Sequence, residues 1–228
     1  MKQGSSTISS VKKGSSVIHK IYKGSTIIYT SAMLPSKYQK IDYIESTGTQ
    51  YIDTNYMLKG NLKIYGKVYT SVMRKEMAVI GTEKEGIEIG FSRTNNRFFV
   101  FSQNSVGVAP KTSIYDTIIE FTACVTNEPR KELILHNIDG GVKDSSTDVN
   151  YPYGDNVKLN LFQYNNMFYF YGRLYQLQIY DDDKLVRNFI PCYRKSDNTI
   201  GLYDVMNNTF YTNAGTGTFL KGNDVFTI

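Results

Sequence analysis

The chain has 228 residues, of which 41% are hydrophobic and 21% are charged, a composition typical of a folded globular protein. It contains no apolar run of about 18 residues, so the sequence predicts no membrane-spanning helix. The beginning of the chain also lacks the apolar segment of a cleaved signal peptide. The only histidines, His19 and His136, and the only cysteines, Cys124 and Cys192, have no partners at metal-ligand or CxxC spacing. This disfavours a zinc site, a Ser-His-Asp triad and a disulfide framework.

The positive charge is concentrated at the beginning of the chain. Residues 1–41 hold seven of the 26 basic residues and no acidic residue, which leaves 19 basic against 21 acidic residues in the remainder. All seven are lysines, and no arginine or recognition motif accompanies them. We therefore expect solvated turns, or docking to an acidic partner, rather than nucleic-acid binding.

The first segment, residues 1–34, repeats with a period of ten residues. A Gly-Ser pair recurs three times, and the β-branched residues that follow each pair end at Ile8, Ile18 and Ile28. Gly-Ser predicts a turn and the β-branched residues predict a short strand. About thirty such residues cannot bury a core of their own. We therefore expect an anchor or oligomerisation segment that docks on another protein or on copies of itself, with a homotrimer favoured; the alternative is a flexible linker.

Pro35 marks the boundary to a second segment, residues 35–228, in which one predicted strand follows another. Many short strands with two-residue alternation and polar turns predict an all-β, antiparallel sandwich or barrel. At residues 157–164 apolar and polar-aromatic residues alternate, which predicts a half-buried strand with one free face. The predicted strands cover residues 50–53, 62–70, 77–81, 86–92, 97–102, 117–125, 132–138, 157–164, 168–180, 185–190, 199–203 and 209–212.

Four stretches of the second segment carry a family resemblance. They are YIESTGTQYIDT at residues 43–54, GRLYQLQIYD at 172–181, NFIPCYR at 188–194 running into GLYD, and FYTNAGTGTF at 210–219. Together they resemble the laminin-G-like domains of the concanavalin-A-like lectin and glucanase group, in the versions common in phages and gut bacteria. The resemblance implies a jelly roll of two curved sheets, with glycan binding as the commonest activity but no fixed function. The repeat around IYKG at 21–24 resembles segments attached to such domains in phage structural proteins.

The candidate binding residues are aromatic and polar side chains around one predicted hairpin. Sugar rings stack on aromatic planes, while Asn, Gln and Arg hydrogen-bond sugar hydroxyls. Alternation places Tyr169, Tyr171 and Arg173 on one face. The alternative is that these rings cover the sheet or pack against another subunit, and the absence of Trp weakens a lectin interpretation. The predicted carbohydrate-binding residues are Tyr164, Asn165, Asn166, Tyr169, Tyr171 and Arg173.

Two acidic patterns raise the questions of catalysis and of calcium. Glu83, Glu85 and Glu88 are similar to the acidic strand of glucanases with this fold, where two carboxylates on one face serve as nucleophile and acid. The glycines around them favour a charged hairpin turn instead. The run at 181–183, Asp-Asp-Asp, offers oxygen ligands for calcium, but such acids also solvate the turn after a strand. We assign no catalytic residue, no metal ligand and no cofactor.

These observations favour a non-enzymatic phage virion structural protein, a head or tail fibre or decoration protein that displays a carbohydrate-binding domain for attachment to host or mucus. Its expected partners are a bacterial surface polysaccharide or other glycan and other virion proteins, with no nucleic acid and no membrane. Several copies would turn weak single sites into avidity. The protein would be made in the host cytoplasm and reside in the virion. The alternatives are a bacterial surface adhesin or an interaction module without sugar specificity and, third, a glycan hydrolase.

Overall fold

The computed structural model describes residues 11–13, 16–18, 20–23, 26–30, 34–58, 61–72, 74–84, 86–92, 97–102, 109–110, 116–125, 131–136, 141–148 and 157–226. These residues form strands, turns and bends, and no described segment is a helix of the length and apolarity that a bilayer requires. The strands are β1 (Val11–Lys13), β2 (Ser16–Ile18), β3 (Lys20–Lys23), β4 (Thr26–Thr30), β5 (Tyr38–Lys40), β6 (Ile44–Thr47), β7 (Ile52–Met57), β8 (Leu62–Tyr69), β9 (Glu76–Thr82), β10 (Ile87–Ser92), β11 (Arg97–Ser102), β12 (Ile118–Val125), β13 (Lys131–His136), β14 (Val142–Asp148), β15 (Lys158–Leu161), β16 (Tyr171–Asp181), β17 (Lys184–Arg194), β18 (Thr199–Asp204), β19 (Thr209–Thr212) and β20 (Leu220–Lys221).

The first four strands form two antiparallel hairpins, β1 with β2 and β3 with β4. The partner strands are separated in sequence by Gly14-Ser15 in one hairpin and by Gly24-Ser25 in the other. Ile18 lies in β2 and Ile28 in β4. Ile8, and the side chains of the other two isoleucines, lie outside the described part of the chain, so the anchor role of these residues stays a prediction.

The other strands form two antiparallel sheets that pack as a sandwich, which confirms the predicted all-β fold. The smaller sheet has the strand order β11-β10-β9-β15-β7. The larger sheet has the order β14-β13-β12-β8-β16-β17-β18-β19, with β5 paired to β17, β6 to β16 and β20 to β6. Neighbours in space are often distant in sequence, as β8 and β16 are, because the chain passes between the sheets as in a jelly roll.

The two sheets differ in how their outer faces meet water. In β8 the residues alternate between buried and partly or fully exposed, with Leu62, Ile64 and Val68 turned toward the core. This is the pattern of a strand with one solvated face. In β9 and β10 nearly every residue is buried. The outer face of the smaller sheet is therefore covered over β9, β10 and β15, whereas that of the larger sheet remains partly open.

Phenylalanine rings fill the centre of the sandwich. Phe91, Phe98, Phe121, Phe162 and Phe170 are all fully buried. The ring centroids of Phe98 and Phe121 are 4.7 Å apart, and Phe170 stacks between Phe91 at 5.7 Å and Phe162 at 5.8 Å. Such pairs add about 0.5–1.5 kcal/mol beyond the burial of their area, so this cluster holds the two sheets together.

The strand predicted over residues 157–164 is shorter in the structure and ends at Leu161. The expected free face is wrong, because Phe162 is fully buried and the chain turns there. Phe162 and Phe168 have φ angles of 69° and 41°, a left-handed conformation that is strained for bulky residues. We call residues 162–170 the crossover segment, since they connect the smaller sheet to β16 of the larger sheet.

Candidate functional site

The six residues predicted to bind carbohydrate lie in three places. The first group is on the turn of the crossover segment, the second is near residues 48–51, and the third is on the outer face of the larger sheet. The groups are Tyr164 with Asn165 and Asn166, then Tyr169 with Tyr171, then Arg173.

The turn of the crossover segment lies over β9. The Asn165 N–H donates to the Thr82 carbonyl at 2.8 Å. Asn165 and Asn166 have φ angles of 50° and 54°, the left-handed pair of a two-residue hairpin turn, in which Asn is favoured. Tyr164 is 7% exposed, and its ring stacks on Phe168 with centroids 6.2 Å apart. Tyr164 is therefore a packing residue in this conformation, whereas both asparagines have exposed surface.

The second group is held by the turn at residues 48–51 and by an arginine. The Tyr169 ring lies 6.5 Å from the Tyr51 ring. The Tyr171 ring packs so closely on Gly48 that a Cβ there would come within 1.9 Å of it, and Gly48 has a φ of 97°. The guanidinium carbon of Arg74 lies 3.5 Å from the centroid of the same ring. Tyr171 is thus fixed in place and carries Arg74 on one face.

Arg173 is enclosed by a carboxylate and tyrosine rings. Its Nε donates to the Glu45 carboxylate at 2.8 Å, and its guanidinium lies 4.5 Å from the Tyr43 centroid and 5.1 Å from the Tyr69 centroid. The hydrogen bond to Glu45 is the largest of the effects that raise the pKa of Arg173. The Tyr175 ring meets Tyr43 edge-on at 5.3 Å. The arginine therefore stays charged and orders the rings around it.

The second and third groups are neighbours along β16, where Tyr171 and Arg173 are two residues apart. β16 lies between β6 and β8, and Arg173 is opposite Glu45 on one side and Tyr69 on the other. The side chains of Arg173, of the tyrosines around it and of Tyr171 are partly exposed. Arg74, which follows β8, is exposed. The set that we call the tyrosine–arginine surface is Tyr43, Tyr69, Tyr171, Tyr175, Arg74 and Arg173.

Four of these six residues are absent from the predicted set. The alternation of β8 could have identified Tyr69, which points away from the core. Tyr43 begins one of the stretches that carry the family resemblance. No local signal links Arg74 to Tyr171, because their contact depends on how the larger sheet is assembled.

The tyrosine–arginine surface offers flat rings, N–H donors and hydroxyl groups. The Tyr69 hydroxyl donates to the Asp116 carboxylate at 2.6 Å, which is the first cause of the raised pKa of Tyr69. The phenol therefore remains protonated and can only donate or accept hydrogen bonds.

The outer face of the smaller sheet holds a second polar group, which we call the buried polar cluster: Glu88, Asn160 and Gln163. They are 4%, 2% and 1% exposed, and Glu88 Oε1, Asn160 Oδ1 and both side-chain amide atoms of Gln163 have no hydrogen-bond partner within the described ranges. Glu88 and Asn160 both lie opposite Gly81 of β9, and a Cβ on Gly81 would be 2.6 Å from the Gln163 carbonyl oxygen. Burial, followed by the charge of Glu76, raises the pKa of Glu88 to about 8. The Glu88 carboxyl is therefore mostly neutral at pH 7.

Two of the glutamates compared with a glucanase strand, Glu83 and Glu88, belong to the hairpin of β9 and β10. Glu88 is in β10, whereas Glu83 follows the end of β9, so the two are not on one strand. Glu83 Oε2 is 3.3 Å from Lys158 Nζ. Glu85 lies outside the described residues. The arrangement agrees with the charged turn that the sequence favoured.

Of the aspartates considered as calcium ligands, Asp181 ends β16, and Asp182 and Asp183 form the hairpin turn to β17. Asp182 and Asp183 have φ angles of 46° and 59°. Asp182 Oδ1 accepts a hydrogen bond from the Asn61 side chain at 2.9 Å, and Asp183 lies 3.3 Å from Lys63 Nζ. Among the residues that the structure describes, no three His, Cys, Asp or Glu side chains are grouped to hold a metal ion. Calcium binding therefore has no further support from the structure.

Comparisons with known proteins identify a fold. No family model and no curated protein sequence matches the chain. A solved candidate carbohydrate binding protein from Bacteroides ovatus matches with a TM-score of 0.52 at 9% identity, covering 82% of this chain and 62% of the other, less than two thirds of its length. The native heptameric SAP-like pentraxin from Limulus polyphemus matches with a TM-score of 0.50 at 8% identity, covering 81% and 94%. At such identities the likeness shows a shared sandwich fold.

Proposed function

We propose that this protein is a non-catalytic carbohydrate-binding protein and that the tyrosine–arginine surface is its binding site. The observation that carries the proposal is that two guanidinium groups pack on partly exposed tyrosine rings around the start of β16, Arg173 on Tyr43 and Tyr69 and Arg74 on Tyr171. Aromatic planes and hydrogen-bond donors are the groups with which proteins bind sugar rings and their hydroxyls. The fold shared with the Bacteroides ovatus protein is consistent with this function.

The state of the acidic residues supports a role without catalysis. A glycosidase needs two carboxyl groups that face one bond across a cleft. Here Glu83 contacts Lys158 at 3.3 Å, and Glu88 is 4% exposed beneath the crossover segment. The Glu88 carboxyl group is withheld from a polysaccharide, and that of Glu83 is engaged by a lysine.

Binding to immobilised bacterial surface polysaccharides tests the proposed site. The variant Tyr43→Ala/Tyr69→Ala removes both rings that flank Arg173, and we expect its affinity to fall about tenfold or more, since each aromatic platform contributes on the order of 1 kcal/mol. Tyr180→Ala is the control, because Tyr180 is likewise a partly exposed tyrosine of the larger sheet but lies at the opposite end of β16 from Arg173. Equal losses in both variants, or no loss in the double variant, would refute the assignment.

We propose further that the protein belongs to a phage virion, as a head or tail fibre or decoration protein. The ten-residue repeat of residues 1–34 and its two hairpins support an anchor that docks on other virion proteins or trimerises, with the sandwich displayed outward. The protein would be made in the host cytoplasm and assembled there into the particle.

The mass of the intact protein in solution tests the anchor. We expect Ile8→Ser/Ile18→Ser/Ile28→Ser to lower the mass from that of an oligomer to that of one chain, because short repeats need apolar contacts between copies. A monomeric unsubstituted chain would exclude self-association and leave docking on another protein. Capsid or tail genes beside the reading frame would then support the virion assignment, and their absence would count against it.

A further inference from the structure

The two arginines of the tyrosine–arginine surface differ in how their charges are balanced. Arg173 pairs with Glu45 at 2.8 Å. Arg74 is exposed and forms no ion pair within the described part of the chain. Asp116, the acid next to Tyr69, accepts the hydrogen bond of the Tyr69 hydroxyl. Arg74 therefore carries a positive charge that the surface itself does not neutralise.

The geometry of Arg74 prepares it for a planar acidic group. Its guanidinium carbon is 3.5 Å from the Tyr171 ring centroid, and at this separation the planar group must stack on the ring, because an edge-on group would push its hydrogens into the ring. The ring is itself fixed by Gly48 and by the pairing of Tyr171 with Thr47. The N–H donors therefore point sideways, parallel to the ring, where a ligand can reach them.

We infer that Arg74, stacked on Tyr171, recognises the carboxylate of an acidic sugar. The inference rests on the proposed function, because the sugar ring would occupy the tyrosine–arginine surface while its carboxylate accepts two parallel hydrogen bonds from Arg74. A carboxylate matches the guanidinium fork in shape and charge, whereas a single hydroxyl does not. The ligand class is a polysaccharide that contains uronic acids.

Binding of the chain of residues 1–228 to three carboxylated polysaccharides (polygalacturonate, alginate and hyaluronan) and to their carboxyl-reduced forms tests the inference. We expect at least one of the acidic polymers to bind, and its reduced form to bind about tenfold more weakly or worse, as loss of a charge-assisted bidentate pair predicts. Arg74→Gln should cause the same loss on the acidic polymer. Arg74→Lys should restore little, because an ammonium group cannot form the planar fork. Lys75→Gln removes a neighbouring charge and should change affinity less than about twofold.

The possible outcomes separate the inference from the proposed function. Binding of neutral polysaccharides that depends on Tyr43 and Tyr69 but not on Arg74 would overturn only the acidic specificity. Equal binding of an acidic polymer and its reduced form would also overturn the acidic specificity. So would unchanged binding of the acidic polymer by Arg74→Gln. Binding to none of the acidic or neutral polymers would defeat both. Unchanged thermal unfolding of the Arg74 variants would show that any loss arises at the surface.

Discussion

On the outer face of the larger sheet, Arg173 and Glu45 pair at 2.8 Å while 34% and 27% of their side-chain surfaces remain in water. On the outer face of the smaller sheet, Glu88 is 4% exposed and its Oε1 has no partner among the described residues. Both faces carry polar side chains on neighbouring strands. They differ because the crossover segment lies across only one of them, so water solvates the first group and is excluded from the second.

The comparison shows that burial under another segment, rather than residue type, decides whether polar side chains on a strand face are available to a ligand. An exposed ion pair contributes little to stability and leaves its groups available for a ligand. A buried polar group without a hydrogen bond costs about 1–3 kcal/mol. The crossover segment also holds Phe162 and Phe168 in strained conformations. Burial of Phe162 and Phe170 in the aromatic core offsets these costs and keeps the segment in place.

The largest expected effect follows from neutralising Glu88. Its pKa is about 8 in the folded protein against an ordinary value of 4.5, so the folded state binds more protons than the unfolded state between these values. The stability associated with the neutral carboxyl is full below pH 4.5 and is lost as the pH rises through 8, by at most roughly 1.4 kcal/mol per pH unit. Glu88→Gln should therefore flatten the pH dependence of urea unfolding between pH 5 and pH 8, and should be more stable than the unsubstituted protein at pH 8.

Glu83→Gln is the control for this experiment. Its side chain is 35% exposed and contacts Lys158, so the slope between pH 5 and pH 8 should persist in this variant. A slope that survives in Glu88→Gln, or that disappears in both variants, would contradict the assignment of the buried proton to Glu88.

A smaller loss is expected from Gly81→Ala, which acts on the cover itself. A Cβ at this position would lie 2.5 Å from Tyr164 Cβ and 2.6 Å from the Gln163 carbonyl oxygen, so the backbone of the crossover segment must shift. Overpacking of this kind costs about 1–3 kcal/mol. Hydrogen exchange of the Asn165 amide, which is bonded to Thr82, should accelerate in this variant while the amides of β8 stay protected. Unchanged exchange at Asn165 would show that the segment does not rest on Gly81.

Local pattern predicted the open face better than the covered one. The alternation of β8 and β12 follows from one solvated side, and it is visible in the sequence. The end of β15 was missed because phenylalanine is common in strands, so the residue type of Phe162 gives no sign of a turn. Packing in the aromatic core imposes its left-handed backbone. Arg74 was missed for a related reason, since the sheet brings it to Tyr171 across a large separation in sequence. Contacts that depend on tertiary packing cannot be predicted from the alternation of residue types along one strand.

Gly48→Ala should disturb the open face at a lower cost than the Gly81 change. Its φ of 97° is strained for alanine, and the added Cβ would meet the end of the Tyr171 side chain, so a ring rather than a backbone segment must be displaced. We expect a loss of about 1–2 kcal/mol in urea unfolding and a changed near-ultraviolet tyrosine signal. Gly217→Ala separates backbone strain from the clash with Tyr171. Gly217 also has a positive φ, 71°, but a Cβ there would be no closer than 3.0 Å to a neighbouring atom. If both variants leave the tyrosine signal unchanged, Tyr171 does not rest on Gly48.

The smallest effect is expected from the ion pair between Arg173 and Glu45. Because both side chains are partly in water, a double-mutant cycle with Glu45→Gln and Arg173→Gln should give a coupling of about 0.5–1 kcal/mol. Raising the salt concentration to 1 M should reduce this coupling, since exposed charges are screened. The stability gained by Glu88→Gln should change much less with salt, because ions do not reach that carboxyl. A coupling above about 2 kcal/mol that resists salt would mean that the tyrosine–arginine surface is as dry as the buried polar cluster, and the contrast between the two faces would fail.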